Sequence, residues 1–248
     1  MEVHHHPHVE HREKPWKEYL LEGLMIFLAV SLGFIAENIR EHLTEANRKK
    51  ELLEIVALDF GRDINQLNFH KDFAFTKIHQ CDSLNQMFDA SNKSINEAEY
   101  TNHLLLVQGW WLFNSNNKSR NEADAKGYLS TIENSELANA ILKFEFFSTD
   151  YSSAQQREFK FADEFVKLLP YISNHEMYDS TATNFQSALK VYRSKKMGIK
   201  NIDRETIERS KFILTSIKSL NYGYIQDIDS MKVYAKKSIE LIHKQYHD

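Results

Sequence analysis

The chain has 248 residues, 42 % of them hydrophobic, with 31 basic and 35 acidic side chains and a net charge of −4. That balance supplies a core and excludes general nucleic-acid binding, which needs a basic footprint. Three prolines and seven glycines favour helices over a strand-rich architecture, and one cysteine, Cys81, excludes an intramolecular disulfide framework.

Residues 1–18 read as a short polar tail rich in histidine, with His4, His5, His6, His8 and His11. Clustered imidazoles suit Zn²⁺ or Ni²⁺, but a metal site also needs preorganised geometry, so no metal is assigned there. Residues 19–37 read as a transmembrane helix. Within Tyr19–Ala36, YLLEGLMIFLAVSLGFIA, Glu22 is the lone charge. At about 1.5 Å per residue this stretch covers about 27 Å, against about 30 Å of hydrocarbon. Trp16 and Tyr19 stand at its edge, where amphipathic rings favour the headgroups. A buried core helix is the rival reading, but a helix apolar all round must be wrapped on every side. A cleaved signal peptide is the other rival. Ala29-Val30-Ser31 resembles a cleavage site, yet the apolar run continues past it through Leu32, Phe34 and Ile35.

At about 100° per residue, Glu22, Ala29, Gly33, Ala36 and Arg40 share one stripe of the span, with Ser31 opposite. Ala29 and Gly33 form a small-xxx-small step, and a charge inside a span usually faces protein or water. The stripe is the candidate packing face, against a second copy or another membrane protein. Lys14 and Lys17 precede the span, and Arg40, Arg48, Lys49 and Lys50 follow it, so charge alone fixes no orientation.

Residues 38–248 read as a stalk and a helical extramembrane domain. Glu37–Glu51 is highly charged and helical. Leu52, Leu53, Val56, Phe60, Ile64 and Leu67 then recur at helical spacing, after an earlier member at Leu43. A second helix is expected from about Asp72 to Phe88, and another from Ile95 to Phe113, with Trp110, Trp111 and Phe113 as core anchors. Asn114–Asn121, NSNNKSRN, reads as a loop, followed by a short helix from Glu122 to Ile132. Ser135 is expected to cap a long helix through Leu137, Ile141, Phe144, Tyr151, Phe161, Phe165 and Leu168, ending or kinking at Pro170. Further helices are expected over Thr181–Lys195, from an N-cap at Asp203 to Leu220, and over Tyr224–Tyr246.

The common catalytic motifs are missing: no P-loop, dinucleotide fingerprint, HExxH, GxSxG or CxxC. His79 and Cys81 lie two apart and point in different directions on a helix, and Cys81 reads as a buried core residue. Glu-x-x-His occurs at Glu2/His5 and Glu240/His243, one short of the helical pair that a di-iron bundle needs. Catalytic, cofactor and metal residues are therefore assigned to none.

Two stretches carry a resemblance: Lys14–His42, KPWKEYLLEGLMIFLAVSLGFIAENIREH, and Gly127–Glu145, GYLSTIENSELANAILKFE. Together they resemble uncharacterised single-span proteins of Bacteroidota related to the domain of unknown function DUF6090. The likeness covers about a fifth of the chain, and the match to the named domain is looser because this span ends in AENIREH. It implies a bacterial inner-membrane protein with its N-terminus inside and a periplasmic helical domain, and it supplies no reaction or substrate.

The expectation is an all-α protein: one N-terminal transmembrane helix, a stalk and a helical bundle. The expected function is a non-enzymatic, membrane-anchored interaction or scaffold role in an oligomer, whose partners are the bilayer and a further membrane protein or second copy, with no nucleic acid. The alternative is a ligand-binding or sensory domain acting through a partner protein, since bundles hold ligands between helices.

Overall fold

The structure is a computed structural model that describes residues 15–89, 96–109, 111–132, 134–173 and 201–247. The fold is all-α: five helices and no strand among the described residues. They are α1 (Trp16–Asp89), α2 (Glu97–Gln108), α3 (Lys118–Ala125), α4 (Ser135–Ile172) and α5 (Arg204–His247). The histidine tail before Lys14 and the helix expected over Thr181–Lys195 lie outside the described residues. The chain divides into two compact units, Met1–Glu51 and Leu52–Asp248.

In the first unit, α1 starts at Trp16 and is unbroken through the apolar run. It is the one helix among the described residues long and apolar enough to cross a membrane, and none of its apolar window is buried. Leu43, expected on the apolar face, is exposed.

The second unit is a bundle of α1 (from Leu52), α4 and α5. On α1, Leu53, Val56, Phe60, Leu67, Ala74, Cys81, Leu84 and Phe88 are buried, at steps of three, four and seven. Such a row keeps facing one neighbour along its whole length. On α4 the row includes Leu137, Phe144, Tyr151, Phe165 and Ile172, and on α5 Leu214, Ile217, Tyr224, Ile228, Met231, Ala235 and Ile242. Each fully buried Leu, Ile or Phe contributes about 1.5–3 kcal/mol relative to exposure. α4 runs alongside α1 in the same sense: Phe60 meets the edge of Phe144 at 4.9 Å, and Lys77 meets Glu158. α5 runs the other way. Lys71 pairs with Asp229, Asp82 with Lys218 and Asp89 with Lys211. These exposed pairs are worth at most about 1 kcal/mol each, so they select register more than they hold the bundle.

Several boundaries differ from the sequence reading, each for a local reason. The expected break before Asp72 does not exist; α1 continues to Asp89, because His70, Lys71 and Asp72 occupy three different faces of one helix. α2 is shorter than Ile95–Phe113. Asn96 caps it by accepting from Ala98 N at 3.0 Å, and it stops at Gly109, whose backbone is extended. Trp110 lies outside the described residues, Phe113 is core as expected, and Trp111 is 44 % exposed, not a core anchor. α3 begins four residues earlier than Glu122 and ends at Ala125. Gly127, at φ +72°, closes it: Gly127 N donates to Asp124 O and Tyr128 N to Ala123 O, both at 2.8 Å. This is a Schellman end, where glycine adopts the left-handed conformation without strain and Tyr128 packs with Ala123. The cap of α4 is Asn134 and not Ser135; its side chain accepts from Glu136 N and Leu137 N. Pro170 sits in the last turn of α4 and ends it as expected within two residues. Asp203 caps α5, accepting from Thr206 N at 2.9 Å. The expected division of α5 at Leu220 is absent, because Asn221 turns its amide back onto Ile217 O and the helix continues.

Candidate functional site

The buried row of α1 contains three polar residues at seven-residue spacing: Asp63, His70 and Lys77, none more than 6 % exposed. An isolated buried charge is costly, so each must be matched. The match comes from α4 or the segment before it, and the three levels differ in chemistry.

At the first level Asp63 accepts from Ser115 Oγ at 2.7 Å, Asn116 N at 2.8 Å and Asn116 Nδ2 at 2.7 Å. Arg120 approaches the same carboxylate at 3.4 Å, donates to Glu145 Oε1 at 2.7 Å, and lies over the rings of Phe60 and Phe144 at 4.7 and 5.0 Å. Ser119 Oγ donates to Asp59, which also accepts from Arg62. Two carboxylates of α1 therefore hold the segment read as a free loop, from Ser115 to Arg120. A shallow open cleft beside it is lined by Asp59, Arg62, Asn117, Lys118 and Glu122. The charges there alternate in sign and select no particular ligand charge.

At the second level Tyr151 Oη lies 3.1 Å from His70 Nδ1. Burial pushes the His70 imidazole down to about 4 and the Tyr151 phenol up, so both are neutral at pH 7. In the unfolded chain His70 titrates near 6.5. The folded value is the depressed one, so this stability is fully present above about pH 6.5 and is lost as pH falls toward 4. The loss is on the order of 2–3 kcal/mol for the wild type and should be absent from His70→Gln. Urea unfolding at pH 7 and pH 4.5 measures it; equal pH dependence in both chains would rule out His70 as its source.

At the third level Lys77 donates to Glu158 at 2.5 Å, with Lys77 1 % and Glu158 6 % exposed. Lys77 also stands 5.2 Å from the Phe73 ring centroid. This level separates the two large apolar clusters of the bundle. Tyr224, whose phenol burial also pushes up, donates to Ala154 O at 2.8 Å. Gln155 fastens the covering segment: its Nε2 donates to Trp111 O at 2.9 Å and its Oε1 accepts from Phe113 N at 3.2 Å. Beneath lies a cavity of about 20 Å³ lined by His70, Lys77, Glu158, Asn221 and Tyr224 among others. That volume admits about one water and no organic ligand. Nearby Cys81 is a buried free thiol, pushed up to about 12 chiefly by burial, and is inert as a nucleophile.

No family model, curated protein or solved structure matches the chain.

The residues assigned to the span face, Glu22, Ala29, Gly33, Ala36 and Arg40, are all exposed. Arg40 pairs with Glu37 on its own helix. A Cβ placed on Gly33 would meet nothing within 4 Å. Among the described residues nothing covers this stripe. The buried polar row of α1, by contrast, was invisible to hydrophobic periodicity, which counts apolar positions and passes over a polar residue between them. Its signal was the spacing alone: Asp63, His70 and Lys77 continue the heptad of Val56 and Leu84.

Proposed function

We propose that the protein is a non-enzymatic interaction or scaffold protein, anchored by residues 19–37 in a bacterial inner membrane and self-associating through the span. The observation that carries this reading is the exposed apolar surface of α1, where Leu20, Leu24, Phe27, Leu32 and Phe34 are 51–73 % exposed. Uncovered apolar surface of that length is matched by a hydrocarbon core. Kinship with single-span proteins related to DUF6090, a stalk over the charged residues after the span, and a periplasmic helical domain belong to the same reading and rest on the stretches quoted above. The water-sized cavity and the mutually engaged polar groups weigh against a ligand-binding or sensory domain.

The expected result uses a Cys81→Ser chain in native membranes. Gly33→Cys should give strong oxidative dimers and Ser31→Cys few, because the Gly33 position has room on the stripe and Ser31 lies opposite. Equal or reversed cross-linking removes self-association by this face. In the same background, Lys236→Cys on spheroplasts should react with a membrane-impermeant maleimide; protection until lysis would place the helical domain in the cytosol.

A further inference from the structure

At the far end of the bundle α1 and α2 bring together His79, Glu99 and His103. His103 is 5 % exposed. Its Nδ1 contacts Gln80 Oε1, an oxygen that can only accept, so Nδ1 carries the proton and Nε2 presents a lone pair. That buried Nε2 has no hydrogen-bond partner. A buried acceptor without a donor is destabilising unless something else binds it. Glu99 lies one turn earlier on α2, with Oε1 3.7 Å from Nε2. This is too long for a hydrogen bond. It is close to the roughly 3.3–3.5 Å between two donor atoms on one tetrahedral Zn²⁺ with bonds of about 2.0–2.1 Å. His79 of α1 completes the group, its ring centroid 6.4 Å from that of His103. Two imidazoles on a shared zinc stand about 5–6 Å apart by the same bond lengths.

We propose that His79, Glu99 and His103 form a binding site for a borderline divalent cation, Zn²⁺ foremost, that ties α2 to α1. Among the described residues no three His, Cys, Asp or Glu side chains converge on a metal as they stand. His79 and Glu99 are exposed, and in the proposed site their side chains turn toward the lone pair, whereas His103 is buried. The Gln80 contact is the kind of outer hydrogen bond that sets the tautomer and direction of a ligating histidine. Two nitrogens and a carboxylate select Zn²⁺ over Mg²⁺ or Ca²⁺, which require oxygen ligands. Three protein ligands leave the fourth position to water.

The test uses the full chain in detergent with His4, His5, His6, His8 and His11 all replaced by asparagine, so that the tail cannot bind the metal. Zinc at a hundredfold its dissociation constant should raise Tm by about 5 °C or more, and Mg²⁺ should not. His79→Ala and Glu99→Gln, both at exposed positions, should keep the metal-free Tm within about 2 °C and lose most of the zinc shift. Cobalt(II) should give the visible absorption of a tetrahedral site in the parent chain and not in His79→Ala. No zinc shift in the parent, or a shift that survives His79→Ala, overturns the site.

Discussion

Lys77→Met should lower the unfolding free energy by about 3–5 kcal/mol, because it leaves Glu158 as an uncompensated charge in the middle of the bundle. Lys77 is 1 % exposed, and the pair is the main polar interruption between two apolar clusters. The magnitude is that of an abandoned buried carboxylate and not that of the pair itself. The double variant Lys77→Met/Glu158→Leu separates the two. Replacing a buried pair by apolar residues of similar volume is often neutral or stabilising, so the double variant should recover most of the loss. Denaturant unfolding of the full chain, followed by circular dichroism, reads both. Additive losses in the double variant would mean that Lys77 and Glu158 contribute independently and that the 2.5 Å contact carries little coupling.

Asp63→Ala should be of similar size, about 3–5 kcal/mol, by the converse route. Here the cost lies in the donors of Ser115 and Asn116, which lose their acceptor, and in Arg120, 2 % exposed, which loses one of its two carboxylates. Arg120 keeps Glu145 and the faces of Phe60 and Phe144, so the damage should concentrate at Ser115–Asn117. Native-state hydrogen exchange should show Asn116 N, now bonded to Asp63, losing protection before the helices do. The control is Arg62→Ala, whose partner Asp59 also holds Ser119 and whose own side chain is 67 % exposed; it should stay within about 0.5 kcal/mol. A large effect at Arg62 together with a small one at Asp63 would reverse the assignment.

The fold class and the apolar half of the core were legible because they depend on short-range spacing. Leu53, Val56, Phe60 and Leu67 on α1, and Leu137, Ile141, Phe144, Tyr151, Phe165 and Leu168 on α4, are buried where periodicity put them. What was illegible depends on partners far along the chain. A new helix was expected from about Asp72, but Tyr151 and Asp229 meet the side chains of His70 and Lys71 just before it and the helix runs on. NSNNKSRN looked like free loop because its serine and asparagine partners, Asp59 and Asp63, are more than fifty residues earlier. One helix was expected to end at Leu220 and the next to start at Tyr224, yet Asn221 and Gly223 between them lie inside the continuous α5. The His79, Glu99 and His103 group escaped a search for Glu-x-x-His because Glu99 and His103 are four apart and the third member sits on another helix.

The order of α1, α4 and α5 along the chain sets a schedule for synthesis. The buried face of α1 is made first, while partners on α4 and α5 follow much later: Glu158 comes 81 residues after Lys77, and Asp229 comes 158 residues after Lys71. At about 5–20 residues per second, that face waits about 8–30 s for α5 after it leaves the ribosome. A continuous strip of leucine exposed for so long would capture other nascent chains. Asp63, His70 and Lys77 interrupt the strip once per heptad, and until Arg120, Tyr151 and Glu158 arrive, water solvates all three. The same residues that must be neutralised in the finished bundle therefore keep the unfinished one dispersed.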